Sequence, residues 1–160
     1  MAVDVTKIHL GRCSVEYNNV DLGATLGGCE LHYIPEFHLT KVDNYTGYVK
    51  QTLVSERVTA VVRLAESSIA NLKVAMPAGS TSGGATPTQI DVGGGSATDQ
   101  LLVLTPSDSS YVITIHKALV VSEVTLPFTV NGERMVEVTF EALTDTTKDA
   151  GKELMEIKES

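Results

Sequence analysis

The 160-residue chain has no tryptophan, two cysteines and only 5% aromatic residues. Sugar-binding modules favour a stacking surface of large rings, and here that surface is thin. Cys13 and Cys29 stand far apart with no Cys-x-x-Cys or His-rich tract beside them, so neither a zinc knuckle nor a redox motif can be read from their spacing. They read as buried free thiols. Basic residues are also scarce: 12 Lys and Arg against 20 Asp and Glu give a formal charge of −8, and no Lys or Arg falls between Pro77 and His116. Tight nucleic-acid binding depends on neutralising phosphates, which this balance disfavours. A surface that DNA slides past without sticking is compatible with it. No apolar run is long enough to span a bilayer, and the start, Met1 to Lys7, lacks the basic segment and apolar stretch of a secretory signal. The expectation is a protein made and kept in the cytoplasm, with no membrane partner.

What is present reads as one mainly β domain over residues 1–160, long enough to bury a core without metal or disulfide help. Arg12 to Tyr17 alternates, and Asn18-Asn19 supplies a turn, which predicts an early hairpin. Cys29 to Leu39 puts Leu31, Tyr33, Phe37 and Leu39 in one register and Glu30, His32, Glu36 and His38 in the other. Pro35 inside that run predicts an edge position, a bulge or an interruption. Val58, Ala60, Val62 and Leu64 share one face of the next strand, and Val61 makes the other face apolar too. A short helix starts near Ser67 or Ser68, carries Ile69, Leu72 and Met76 on one stripe, and stops at Pro77 and Gly79.

Residues 79–99 are rich in Gly, Ser and Thr around a β-like island at Gln89 to Val92, which predicts mobile loops flanking one short strand. Leu101 to Leu104, Tyr111 to Val121 and Val124 to Val130, the last broken by Pro127, read as strands. Asn131-Gly132 predicts a hairpin turn whose second arm points Val136, Val138, Phe140 and Ala142 inward and Glu133, Glu137 and Glu141 outward. Residues 144–160 are charged and form a final strand or an arm that docks on a neighbour.

The segment 41–57 is the most unusual. It places Val42, Tyr45, Tyr48, Val49, Leu53 and Val54 in a stretch punctuated like a loop. Burying a large apolar side chain stabilises by roughly 1.5–3 kcal/mol, so several left in water would forfeit an energy comparable to a domain's stability. These six residues are the candidate inter-subunit contact.

Chemistry is harder to find. Glu30, His32, Glu36 and His38 share a strand face, but at about 3.3 Å per residue they cover too much length to converge on one ion. They read as a solvated or channel-lining polar face. The Gly-rich stretches 23–28 and 79–84 lack the Gly-Lys-Ser/Thr ending of a phosphate loop, and no Gly-x-Ser-x-Gly elbow exists. No catalytic, cofactor or metal residue is assigned, and the chain is not expected to be an enzyme.

Leu22-Gly23-Ala24-Thr25-Leu26-Gly27-Gly28, Val42-Asp43-Asn44-Tyr45-Thr46-Gly47, Leu64-Ala65-Glu66 with Asn71-Leu72, and Met76-Pro77-Ala78-Gly79 together resemble the tail tube (major tail) proteins of long-tailed bacteriophages and prophages. Order and spacing carry the match, which continues more loosely through Arg134 to Leu143. The resemblance implies a β-sandwich or barrel with an inter-subunit loop at 41–57. It also implies self-assembly into stacked hexameric rings, a virion location, and a lumen through which DNA is ejected without specific binding. Tail tip, tape measure and terminator proteins are the implied partners. Glu30, Glu36, Glu137 and Glu141 would face the lumen, where carboxylates repel the phosphate backbone. A disulfide within a subunit or between rings stays open if the particle matures in an oxidising medium. The alternatives are a β-sandwich that binds carbohydrate or protein, and a secretion-apparatus tube protein of the same architecture.

Overall fold

The computed structural model describes residues 12–84, 86–108, 110–128 and 134–159. Ten strands and one helix follow in the order β1 (Cys13–Tyr17), β2 (Val20–Asp21), β3 (Thr25–Lys41), β4 (Tyr48–Leu64), α1 (Ile69–Ala75), β5 (Ser80–Ser82), β6 (Gln89–Asp91), β7 (Gln100–Pro106), β8 (Tyr111–Val120), β9 (Val136–Ala142) and β10 (Met155–Glu159). Eight strands make one antiparallel sheet in the order β2-β1-β7-β8-β9-β4-β3, with β10 on β8, while β5 and β6 pair separately. Three segments of β8 thus meet different neighbours. Residues 113–118 face β7, residues 111–115 face β10, and residues 118–120 face β9.

Alternation decides what each strand buries. On β4, Val58, Ala60, Val62 and Leu64 are buried, and opposite them on β9 lie Val136, Val138 and Phe140, all within the core. Val15 and Tyr17 on β1, Leu102 and Leu104 on β7, Ile113, Ile115, Ala118 and Val120 on β8, and Leu22, Ala75 and Ala142 complete it. The sheet wraps around this cluster. Tyr17 on β1 stacks at 5.1 Å on Phe140 of β9 and donates its hydroxyl to the Ala118 carbonyl of β8, contacts that cross the interior. The two ends of the sheet then meet where β1 approaches the start of β3: Thr25 Oγ1 donates to the Cys13 carbonyl at 3.3 Å. A barrel-like wall closed at one seam by side chains, rather than by a ladder, is the result.

Several expectations hold. Asn18 and Asn19 both adopt positive φ, 54° and 59°, in the turn from β1 to β2. Pro35 lies on β3, whose outer edge pairs with no strand among the described residues, so its missing donor costs nothing there. Val61 is half-buried on the face opposite the core. The tail 144–160 ends in a strand, β10, rather than in a free arm.

Others need correction. The helix is capped by Ser68, whose hydroxyl accepts from the Asn71 amide at 3.2 Å, but its buried residues are Asn71 and Ala75, with Leu72 only partly buried, rather than a stripe of Ile69, Leu72 and Met76. A polar side chain can lie inward because Asn71 Nδ2 donates to the carbonyls of both Leu22 and Glu66, each at 2.9 Å. The Gly-rich region holds two short strands, β5 and β6, where one was expected. Residues 121–128 form no strand. Pro127 removes a ladder donor, Val124 and Leu126 pack on the core, and β9 has its edges paired with β4 and β8 instead of with a 124–130 arm. Asn131-Gly132 and Glu133 lie outside the described residues.

Phe140 and Val138 are fully buried, whereas Thr139 between them points to the other face and is half-buried. Val138→Asp should therefore abolish cooperative folding, because an unpaired carboxylate in this core costs at least about 4 kcal/mol. Thr139→Asp should keep a folded spectrum by near-UV circular dichroism and a sigmoidal urea transition. Equal disruption by both would mean that the strand faces the other way.

Candidate functional site

The pairing of β3 with β4 turns the expected loop into an arm. Both strands are 17 residues long and pair from Thr25↔Leu64 out to Lys41↔Tyr48, leaving only residues 42–47 as the turn. The segment 48–57 is strand, not loop, because residues 34–41 supply a backbone partner for it. β9 covers β4 only along residues 59–64, so the outer half of the hairpin projects from the barrel with both strands bare at their outer edges among the described residues. Every residue from Tyr48 to Arg57 is exposed.

The arm has two chemically different faces. Register shifts between Glu36 and Phe37 and between Thr40 and Lys41 leave Val54 and Val49 as unpaired extra residues on β4. Tyr33, Phe37, Leu39 and Leu53 continue the core-side face outward, with no layer above them. Of the six residues singled out in the sequence, Tyr48 at 67%, Tyr45 at 65% and Val54 at 62% are the most exposed, and Val42, Val49 and Leu53 are also exposed. All six lie along the outer hairpin and its turn. Sequence reasoning missed Tyr33, Phe37 and Leu39, which belong to the same bare surface, and Ile34, which is exposed on the opposite face beside Arg57. The signal was available in the near-equal alternating runs that flank the turn residues Asp43-Asn44, the pattern of a hairpin. A cleft of mixed lining lies beneath the arm, with Tyr33, Leu53, Val54 and Glu56 on one side and Glu153, Leu154 and Met155 on the other.

Glu30, Glu36, Glu137 and Glu141 share the opposite, polar face of β3, β4 and β9. The structure interleaves them with two arginines that the sequence reading did not use. Arg63 on β4 bonds Glu30 of β3 at 2.7 Å and Glu137 of β9 at 2.9 Å, tying three strands together. Arg57 grips Glu141 through both Nε and Nη2, at 2.8 and 2.9 Å. Glu36 accepts from the Ser55 hydroxyl at 2.8 Å, and His32 lies 3.5 Å from Glu30. The face is a lattice of alternating charge rather than a sheet of free carboxylates. Among the described residues, no group of three His, Cys, Asp or Glu side chains is arranged to hold a metal ion.

Two of the motifs that carried the family resemblance, Leu22 to Gly28 and Leu64 to Glu66 with Asn71-Leu72, meet at the inner end of the arm, while Val42 to Gly47 forms its outer turn. Gly23 has φ +79°, which favours glycine, and a Cβ there would lie 2.7 Å from the Glu66 carboxylate and displace it. The Ala24 amide donates to Glu66 Oε1 at 3.2 Å, and the Ala65 amide donates to the Ala24 carbonyl at 2.9 Å. Leu22, Gly23 and Ala24 are thus stitched to Ala65, Glu66 and Asn71, fixing where β3 begins and β4 ends.

The arginine lattice sets a pH response. A hydrogen bond from Arg63, then its charge, holds the Glu30 carboxyl below its ordinary value of 4.5. A carboxyl depressed in the folded state stabilises fully above the ordinary value, and the contribution is lost as pH falls through the lowered one. Urea midpoints should fall on acidification from about pH 5 to about pH 3, and Arg63→Met should show a shallower fall. Asp145 and Glu156 are depressed as well, by hydrogen bonds from Thr147 and Lys158, so the variant should keep part of the slope. Parallel curves for the two proteins would show that Arg63 does not act through Glu30.

No family model matches the chain, and no curated protein matches it. Among solved structures, the chain is similar to the anti-feeding prophage cap, a tube terminating cap, with a TM-score of 0.58 at 9% identity over 100% of this chain and 95% of the other. It is similar also to the sheath-tube complex of an extracellular contractile injection system in its extended state, with a TM-score of 0.51 at 9% identity over 96% and 92%. The chain therefore shares its fold, over nearly its whole length, with parts of phage-tail-like tube assemblies.

Proposed function

We propose that this chain is a structural, non-catalytic subunit of a phage-tail-like tube, polymerising as stacked hexameric rings around a lumen. The observation that carries this reading is the hairpin arm: an ordered two-stranded projection whose apolar side chains, from Tyr33 to Val54, stay largely exposed in the isolated subunit. Exposed apolar patches of this extent mark protein interfaces. The bare outer edge of β3 is a second incomplete surface, and a ring of identical subunits converts such an edge from an aggregation hazard into a specific contact. The barrel then supplies a rigid wall and the arm supplies the reach.

In this reading Val42, Tyr45, Tyr48, Val49, Leu53 and Val54 seat on a neighbouring subunit, in the same ring or the next. The polar face of β3, β4 and β9 lines the lumen, with Glu30, Glu36, Glu137 and Glu141 toward passing cargo. The resemblance in sequence favours the tail tube of a long-tailed phage, with DNA as cargo and with tail tip, tape measure and terminator proteins as partners. The likeness to an injection-system assembly favours the second reading, a tube that delivers cargo from an extracellular particle. Both use one subunit mechanism and differ in what the lumen conducts.

Electron microscopy of the concentrated protein in negative stain tests the assembly, with hollow rings or tubes as the expected result. Because Glu36 pairs with Ser55, replacing residues 37–54 by an Asn-Gly turn should close a shorter hairpin and leave the barrel intact. That variant should unfold within a few degrees of the parent and remain monomeric at concentrations where the parent polymerises. Normal tubes from it would overturn the role of the arm. A map of the parent polymer with Glu137 and Glu141 on the outside would reject the luminal assignment while leaving the assembly reading in place.

A further inference from the structure

The seam that closes the barrel holds the chain's two cysteines together. Cys13 begins β1 and Cys29 lies on β3, opposite Val62, and both are half-buried and pack against the core. β2 pairs only with the last two residues of β1, Glu16 and Tyr17, so Cys13 is free to approach β3. No ladder joins the two strands there. The contact consists of the Thr25 hydroxyl on the Cys13 carbonyl, and the two thiols, both packed on the core, lie near enough to perturb one another. Everywhere else around the wall neighbouring strands share backbone hydrogen bonds, which makes this the least secured line of the fold.

We propose that Cys13 and Cys29 are a disulfide site that covalently closes the barrel seam when the protein meets a small-molecule disulfide oxidant. Cys13 is the attacking thiol: the neighbouring Cys29 thiol holds its pKa below the ordinary thiol value, while the same contact and burial raise that of Cys29. The Cys13 thiolate attacks one sulfur of oxidised glutathione, forming a mixed disulfide and releasing one glutathione thiolate. Cys29 then gives up its proton and attacks Cys13 Sγ, forming the Cys13–Cys29 bond and expelling the second glutathione thiolate. The two protons lost by the protein end on the two glutathione molecules, and two thiols are oxidised as one disulfide is reduced. The bond would enclose the first hairpin and tie it to β3, restricting the unfolded chain and leaving the arm and its outward surfaces untouched. This inference rests on the seam alone and does not depend on tube assembly.

The reduced full-length chain, desalted and incubated with oxidised glutathione under native conditions, gives the test by intact mass after acid quenching. A monomer lighter by roughly 2 Da, with Cys13 and Cys29 joined in one cross-linked peptide, is expected. Its thermal midpoint should rise by on the order of 5–10 °C over the reduced form. In wild-type protein quenched early in the reaction, the glutathione adduct should map to Cys13 at least about five times more often than to Cys29. A native wild-type protein that stays reduced, or that forms only inter-chain dimers, overturns the site. Equal adduct on the two cysteines overturns the assignment of Cys13 as the attacking thiol.

Discussion

The fold depends on one strand living in two environments. From Val58 onward, β4 is covered on both edges, by β3 and β9, and its inward side chains are fully buried. Before Val58 it has β3 alone, and nothing lies over its apolar side chains. The inner half stabilises by burial. The outer half is held by main-chain pairing to a strand that is itself anchored in the barrel. A two-stranded ribbon on its own is marginal in water, so the outer arm keeps its shape because its inner end cannot move.

That inner end is fixed by a small polar knot rather than by the core. Asn71 satisfies two carbonyls that would otherwise be buried without donors, those of Leu22 and Glu66, while the Glu66 carboxylate fills the space that Gly23 leaves empty. Removing either partner leaves a desolvated polar group, the costly kind of loss. Short sequence motifs far apart in the chain that looked merely suggestive therefore describe one place. Gly23, Glu66 and Asn71 are what the transition from turn to arm requires.

How much of this was legible follows from which signals are local. Strands with clean alternation, such as β1, β4 past Val58 and β9, could be read because burial on one face writes a period of two into the sequence. The outer arm was read as a loop because its apolar residues break that period: the unpaired extra residues Val49 and Val54 shift the phase twice within ten positions. The inward Asn71 could not be read at all, since its partners lie 49 residues before it and five before it in the chain. Pro127 stands in a stretch where no strand forms, and the partner choice of β9 depends on β4 and β8, which no local pattern specifies. Among the candidate site residues, the six apolar ones, all exposed, were singled out by composition alone. The four carboxylates were placed on the right face, and their arginine partners were overlooked because the pairing runs between strands.

Those arginines change what the polar face can do. A wall of bare carboxylates would repel a phosphate backbone and also repel itself, at a cost to the sheet that carries it. Placing Arg63 between Glu30 and Glu137, and Arg57 on Glu141, removes that self-repulsion and ties β3, β4 and β9 into one plate. The guanidinium donors are committed to neighbouring carboxylates, so they are poor competitors for a passing phosphate. In the proposed tube, low adhesion would thus arise less from net negative charge than from cations already engaged within the wall. The same ion pairs stiffen the base from which the arm projects, which joins the character of the lumen to the reach of the interface through a single strand, β4.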